Sequence, residues 1–144
     1  MPHFEGYVPN NLKFRHPTAL FITGTTGAGK SRFISNTIEK SGIKGRINNI
    51  YYFMPHTEKL NIRPLPHQKL HLIQGIPTRR WLDKTFFPEN NRDSLVIIDD
   101  QWTEAANSEV SKLLITYGKN HWGCSLIFVS HSFFEKGPFS KLMR

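Results

Sequence analysis

The octapeptide Gly24-Thr-Thr-Gly-Ala-Gly-Lys30-Ser31 constrains this chain more than any other stretch. It matches G-x-x-x-x-G-K-[ST] at every fixed position, and the apolar run ALFIT (Ala19–Thr23) precedes it. A short apolar run entering glycines reads as a buried strand. Behind the octapeptide, Phe33, Ile34, Thr37 and Ile38 recur at helical spacing over 31–40, and Gly42 stops the helix. Strand, glycine-rich turn and helix in that order make a phosphate cradle. Gly27 and Gly29 accept positive φ. Successive N–H groups then form a nest at a helix N-terminus, where the dipole favours an anion. Gly24, Thr25, Thr26, Gly27, Ala28, Gly29, Lys30, Ser31 and Arg32 are therefore the candidate nucleotide-binding residues. In such a loop Lys30 reaches the β and γ phosphates of ATP, and the Ser31 hydroxyl ligates Mg²⁺.

The rest of the chain alternates in the same way. Apolar runs predict strands at 49–53, 69–73, 95–98 and 125–129; helical spacing predicts helices at 78–86, with Thr78 as N-cap, and at 103–116. Strands alternating with helices imply a largely parallel sheet. Residues 1–17 contain Pro2, Pro9 and Pro17 and read as an irregular lead-in to a domain over 18–144. The run LVIIDD ends in two acids, Asp99 and Asp100. An apolar strand delivering a carboxylate suits the metal side of a phosphate site: Asp99 for Mg²⁺, Asp100 as the base or water-positioning group. At the tip of the last strand, Ser130-His131-Ser132, His131 can donate to a γ-phosphate and change charge near neutrality. The same tip is also what a polar turn cap looks like.

Charge and composition narrow the partners. The formal net charge is +8 over 144 residues. Between Lys40 and Arg92 there are ten Lys/Arg against three acids, whereas the remainder is nearly balanced at nine against eight. Such an excess favours a polyanion, nucleic acid before an anionic membrane surface. Arg79-Arg80-Trp81 and Tyr51-Tyr52-Phe53 read either as base-stacking platforms or, as the simpler view has it, as a basic helix face and a core strand. The single cysteine, Cys124, permits no intrachain disulfide and reads as a small buried hydrophobe. The seven histidines lack ligand spacing. No run approaches the ~18 apolar residues of a membrane span, and the first residues carry no signal-peptide core.

With these residues in view, the chain resembles the DNA-packaging ATPases of polinton-like elements, adintoviruses and poxvirus-type large DNA viruses. These lie in the FtsK–HerA branch of the P-loop NTPases. The resemblance is carried by the stretch from His16 through the phosphate loop, by LIQGIP from Leu72 to Pro77, by SLVIIDDQ from Ser94 to Gln101, and by LITYGKNHWGCSLIFVSHSFF from Leu114 to Phe134. It implies a P-loop NTPase three-layer sandwich of the ASCE type, with a mostly parallel sheet. It also implies an ATP-hydrolysing motor that moves double-stranded DNA as a homo-oligomeric ring. A capsid or portal component is then the implied neighbour, and the location is intracellular, in host cytoplasm or nucleus, or in the virion.

Two departures stand out. His131 occupies the place where relatives usually carry glutamine, and Trp122 the place where they often carry an arginine that can act on a neighbouring subunit's nucleotide. Relatives also continue into a further strand beside the one at 19–23, so this chain is expected to lack its final strand, leave that edge open and self-associate. Two rival readings are a nucleotide-binding module without efficient turnover and a small-molecule kinase whose lid arginines would be Arg79 and Arg80. A GTPase would need an Asn/Thr-Lys-x-Asp base reader, which is missing.

Overall fold

The computed structural model describes residues 3–5, 13–23, 30–40, 42–55, 62–88, 91–99, 105 and 107–130. Each apolar run becomes a strand of one parallel sheet. In chain order the strands are β1 (His3–Glu5), β2 (Phe14–Arg15), β3 (Ala19–Thr23), β4 (Ile43–Lys44), β5 (Asn49–Met54), β6 (Lys69–Gln74), β7 (Ser94–Asp99) and β8 (Ser125–Ser130). Six of them form the main sheet in the order β1-β3-β8-β7-β5-β6, while β2 and β4 pair separately. Every neighbouring pair is parallel.

Because side chains alternate across a strand, each strand feeds two cores. On one face Leu20, Ile22, Ile50, Tyr52, Leu95, Ile97, Ile127 and Val129 pack under Phe33, Ile34 and Ile38 of helix α1 (Lys30–Glu39). On the other face Phe21, Tyr51, Phe53, Val96, Ile98, Leu126 and Phe128 pack under a short helix α2 (Arg79–Trp81) with its π-type continuation (Leu82–Phe86), and under α3 (Glu109–Tyr117). Burying both faces explains why these strands read as unbroken apolar runs. The expected α/β architecture, a parallel sheet with helices on both faces, is thus present. No helix among the described residues is long and apolar enough to cross a membrane.

Local signals act where the sequence placed them. Thr78 caps α2, its hydroxyl oxygen accepting from the Trp81 N–H at 3.1 Å. Gly42 ends α1, its N–H donating to the Thr37 carbonyl at 2.8 Å. Gly118 sits where a Cβ would meet Leu126 Cδ1 at 3.0 Å and Cys124 Sγ at 3.2 Å, so glycine lets the 118–122 turn lie on β8 without displacing either side chain. Gly123 leaves that turn with φ +73°, a conformation glycine adopts without strain.

Three expectations need correction. The helix expected over 103–116 is described as starting only after Ser108, whose hydroxyl accepts from Ser111 N–H at 3.3 Å. Asn107 is a turn residue, so the first part of the expected helix is not continuous with α3. The lead-in over 1–17 is not wholly irregular, since it supplies β1 and β2. The open edge beside β3 is filled as well: His3, Phe4 and Glu5 pair with Phe21, Ile22 and Thr23. Backbone hydrogen bonding does not ask which end of the chain a partner comes from, and a three-residue N-terminal strand satisfies the groups that a later strand was expected to satisfy.

Candidate functional site

All strands being parallel, their carboxyl ends share one edge of the sheet, where open α/β sheets place ligands. Three of these ends are adjacent. β8 lies between β3 and β7, with Thr23 opposite Ser130 and Val129 opposite Asp99. The connection 24–29 therefore leaves the sheet beside the segment that starts at 131 and one strand away from the segment that starts at 100. Thr23, Asp99 and Ser130, far apart along the chain, thus end their strands at one edge.

α1 begins at Lys30, immediately after the glycine-rich connection. Following β3, it starts at the carboxyl edge and returns over the sheet, so its first turn, with the orphan N–H groups and the positive end of its dipole, stands at that edge. Arg32 is exposed on the second position after that start. Gly24, Thr25, Thr26, Gly27, Ala28, Gly29, Asp100 and His131 lie outside the described residues, as do the side chains of Lys30 and Ser31.

Asp99 ends β7 and is half-buried. Leu95 and Ile97, its neighbours at intervals of two, lie in the core beneath α1, so Asp99 stands on the α1 side of the sheet. Tyr52, buried on β5 in that same core, donates its hydroxyl to Asp99 Oδ2 at 2.7 Å. A charge-assisted bond of this kind fixes the carboxylate's direction. Tyr52 is the candidate site residue whose contact with Asp99 sequence reading missed. Its neighbours supplied no signal, since a tyrosine in an apolar strand looks like core, and only the β5–β7 pairing brings it to Asp99.

The Tyr51-Tyr52-Phe53 run is core, each residue at most 3% exposed. Trp81 is also buried, edge-on to Tyr51 and Phe53 at ring separations of 5.2 and 5.0 Å. These rings are therefore not surface platforms for bases. Trp122 packs against Phe87 at 5.1 Å and Phe86 at 5.9 Å on the α2–α3 face. Arg79 forms an ion pair with Asp83 on its own helical turn at 3.4 Å. Cys124 is fully buried, and desolvation pushes its thiol up from 9.0 to about 12.

A carboxylate is a hard oxygen ligand with about four acceptor sites, one of which takes the Tyr52 hydroxyl. Among the described residues no three His, Cys, Asp or Glu side chains gather into a metal cage. That is compatible with Mg²⁺, which is commonly held by one or two carboxylates together with substrate phosphates. Comparison with protein-family models, with curated proteins and with solved structures found no match.

Proposed function

We propose that this chain is an ATP-binding and ATP-hydrolysing domain of the P-loop class, with the ASCE sheet arrangement, and that it drives movement of double-stranded DNA as a homo-oligomeric ring. One observation carries the nucleotide reading. β3, the strand that precedes GTTGAGKS in the sequence, ends at the same sheet edge as Asp99, with α1 starting at Lys30 and the carboxylate on the α1 side of the sheet. β8 lying between β3 and β7 supports the ASCE assignment.

In this reading the backbone of 24–32 holds the phosphates and Lys30 neutralises the β and γ oxygens. Ser31 and Asp99 hold Mg²⁺, which when bound offsets charge on the β and γ phosphates. Tyr52 keeps Asp99 aimed. Asp100 accepts the proton of the attacking water as its oxygen bonds to the γ phosphorus and the bond to the β–γ bridging oxygen breaks. His131 donates to the γ-phosphate. The charge excess supports a DNA partner; the resemblance of the four motif stretches supports the ring, and a capsid or portal neighbour. The kinase reading finds little support, because Arg79 is paired on its own helix.

Titration calorimetry of Lys30→Ala with Mg-ATP tests the proposal. Affinity is expected to fall at least tenfold, ~1.4 kcal/mol. Unchanged affinity would remove the phosphate-loop reading.

A further inference from the structure

The opposite edge of the sheet carries a charge pattern that nucleotide binding does not use. The segments leading into β5, β6 and β7 bring Lys44, Arg46, Lys69 and Arg92 to the amino edge, and all four are exposed. Hydrogen bonds show that they form one strip. Lys69 N–H donates to the Asn48 carbonyl and Asn48 N–H to the Asp93 carbonyl, both at 2.8 Å. Arg46 Nε donates to Asn48 Oδ1 at 3.3 Å, and His16 N–H to the Lys44 carbonyl at 2.7 Å. Among the described residues of the strip the only acid is Asp93, whose Oδ2 accepts from Asn48 Nδ2 at 3.2 Å. Glu39, at the end of α1, accepts from Arg63 N–H at 3.1 Å and is followed by Lys40.

A cavity of about 210 Å³ opens within this strip, between the starts of β5 and β6. Asn48, Asn49, His67, Lys69, His71 and Thr85 line it, around Tyr51. The His71 ring lies flat on Tyr51, 4.8 Å away at 15°, and its Nε2 is held by Asn49 Oδ1 at 3.2 Å. An ammonium group, imidazoles, amides and a hydroxyl around one hollow make a phosphate-sized donor set without a carboxylate in the lining.

The geometry points to the amino edge of the sheet as a surface for the backbone of duplex DNA, with one phosphate seated in the cavity beside Lys69. The choice of DNA as the polyanion rests on the proposed function; the charge pattern does not. Duplex is favoured over single strands because single-strand binders stack bases on exposed rings. Among the described residues Tyr51 is buried, and the exposed rings Phe87 and Tyr117 are engaged with Trp122. A surface of cations without ring platforms reads phosphates and is blind to sequence. It also separates the two polyanions, with nucleotide at the carboxyl edge and DNA at the amino edge.

The test is fluorescence anisotropy of the nucleotide-free chain with a duplex of about 30 base pairs, from about 50 to about 200 mM salt. Wild type should bind with log affinity falling linearly in log salt. Arg46→Glu with Lys69→Glu should lower affinity at least tenfold at the low-salt end and reduce the slope by about two, about one per lost phosphate contact. Arg80→Glu with Lys112→Glu makes the same charge change away from the strip and should cost less than about threefold, as unspecific charge does at this salt. If the reversal pair fails to fold, Arg46→Gln with Lys69→Gln must give the same ranking. The inference is overturned by equal losses in the two pairs, by no duplex binding in wild type, by a preference for single strands, or by displacement of the duplex by phosphatidylserine vesicles. Nucleotide affinity, measured in parallel, keeps the two readings apart: the strip variants retain it, and Lys30→Ala retains duplex binding.

Discussion

At its amino edge the sheet is stitched from strand to strand by side chains, whereas at its carboxyl edge the strands run out into the segments that carry the candidate chemistry. The stitching is explicit. Thr18 N–H donates to Ser125 Oγ at 3.1 Å, and Ser125 Oγ meets His16 Nδ1 at 2.5 Å. His16 Nε2 donates to the Arg92 carbonyl, which requires the proton on Nε2 and leaves Nδ1 to accept from the serine hydroxyl. One histidine thus ties β3, β8 and the turn before β7. Leu126 N–H adds a bond to the Thr18 carbonyl at 2.8 Å. At the other edge the described side-chain bonds include Tyr52 to Asp99, which aims a carboxylate rather than joining the backbone, and a longer one from Gln74 Nε2 to the Pro55 carbonyl at 3.5 Å. The difference teaches how such a sheet divides its work. Register set at one edge is carried along five parallel residues, from Ala19 opposite Leu126 to Thr23 opposite Ser130, and so positions the strand ends at the other.

If that division is right, Asp100→Asn gives the largest effect and a purely chemical one. Hydrolysis should slow about 10²-fold or more, ~2.7 kcal/mol, with Mg-ATP binding and thermal stability retained. Failed binding with normal turnover per bound ATP would make Asp100 a metal ligand and reverse its role with Asp99.

Ser125→Ala probes the other edge. It strands the Thr18 N–H and the His16 ring, and Ser125 is fully buried, so denaturant unfolding should show a loss of about 1–3 kcal/mol. Nucleotide affinity of the folded protein should stay within about twofold, since Ser125 lies a strand's length from the site. A large loss of affinity without a loss of stability would break the comparison.

Tyr52→Phe sharpens it, because this bond belongs to the carboxyl edge yet is buried in the core. Releasing one Asp99 oxygen should weaken Mg²⁺ dependence and turnover about three- to tenfold, while stability changes by about 1 kcal/mol or less because the ring remains. A stability loss with unchanged Mg²⁺ dependence would make Tyr52 another stitch.

The smallest effect concerns Cys124. The unfolded thiol ionises near 9.0 and the folded one near 12, so above pH 9 the unfolded state loses its proton first. Stability should fall as pH rises through that window, by at most about 1.4 kcal/mol per unit, and be untouched below it. Cys124→Ala should remove that part of the slope in pH-dependent melting, and a native thiol should react slowly with alkylating reagents.

Much of this fold was legible because its strands are buried on both faces. β3, β5, β7 and β8 announce themselves as apolar runs ending in polar or turn-forming residues, whereas β6 is a half-exposed edge strand; Thr78 and Gly42 mark helix ends by local chemistry. β1 has no such signature: His3-Phe4-Glu5 becomes a strand only because β3 offers it unpaired backbone groups. The start of α3 was misread because apolar spacing continued past Asn107, where the chain turns and Ser108 begins the helix anew. The bond between Tyr52 and Asp99 spans 47 residues and depends on β5 lying beside β7.

By itself the sequence determined what each end of each strand carries: a phosphate-loop motif after β3, two acids at and after the end of β7, and cations concentrated between 40 and 92. Only the tertiary structure decided what those ends face. Parallel strands point one way, so every segment entering a strand gathers at one edge and every segment leaving gathers at the other. The basic stretch crosses the sheet repeatedly, and a charge run alone does not say on which crossing each lysine or arginine falls. Strand order and direction are set by long-range pairing and by the burial of both faces. That is why Thr23, Asp99 and Ser130 end their strands at one edge while Lys44, Arg46, Lys69 and Arg92 collect at the other.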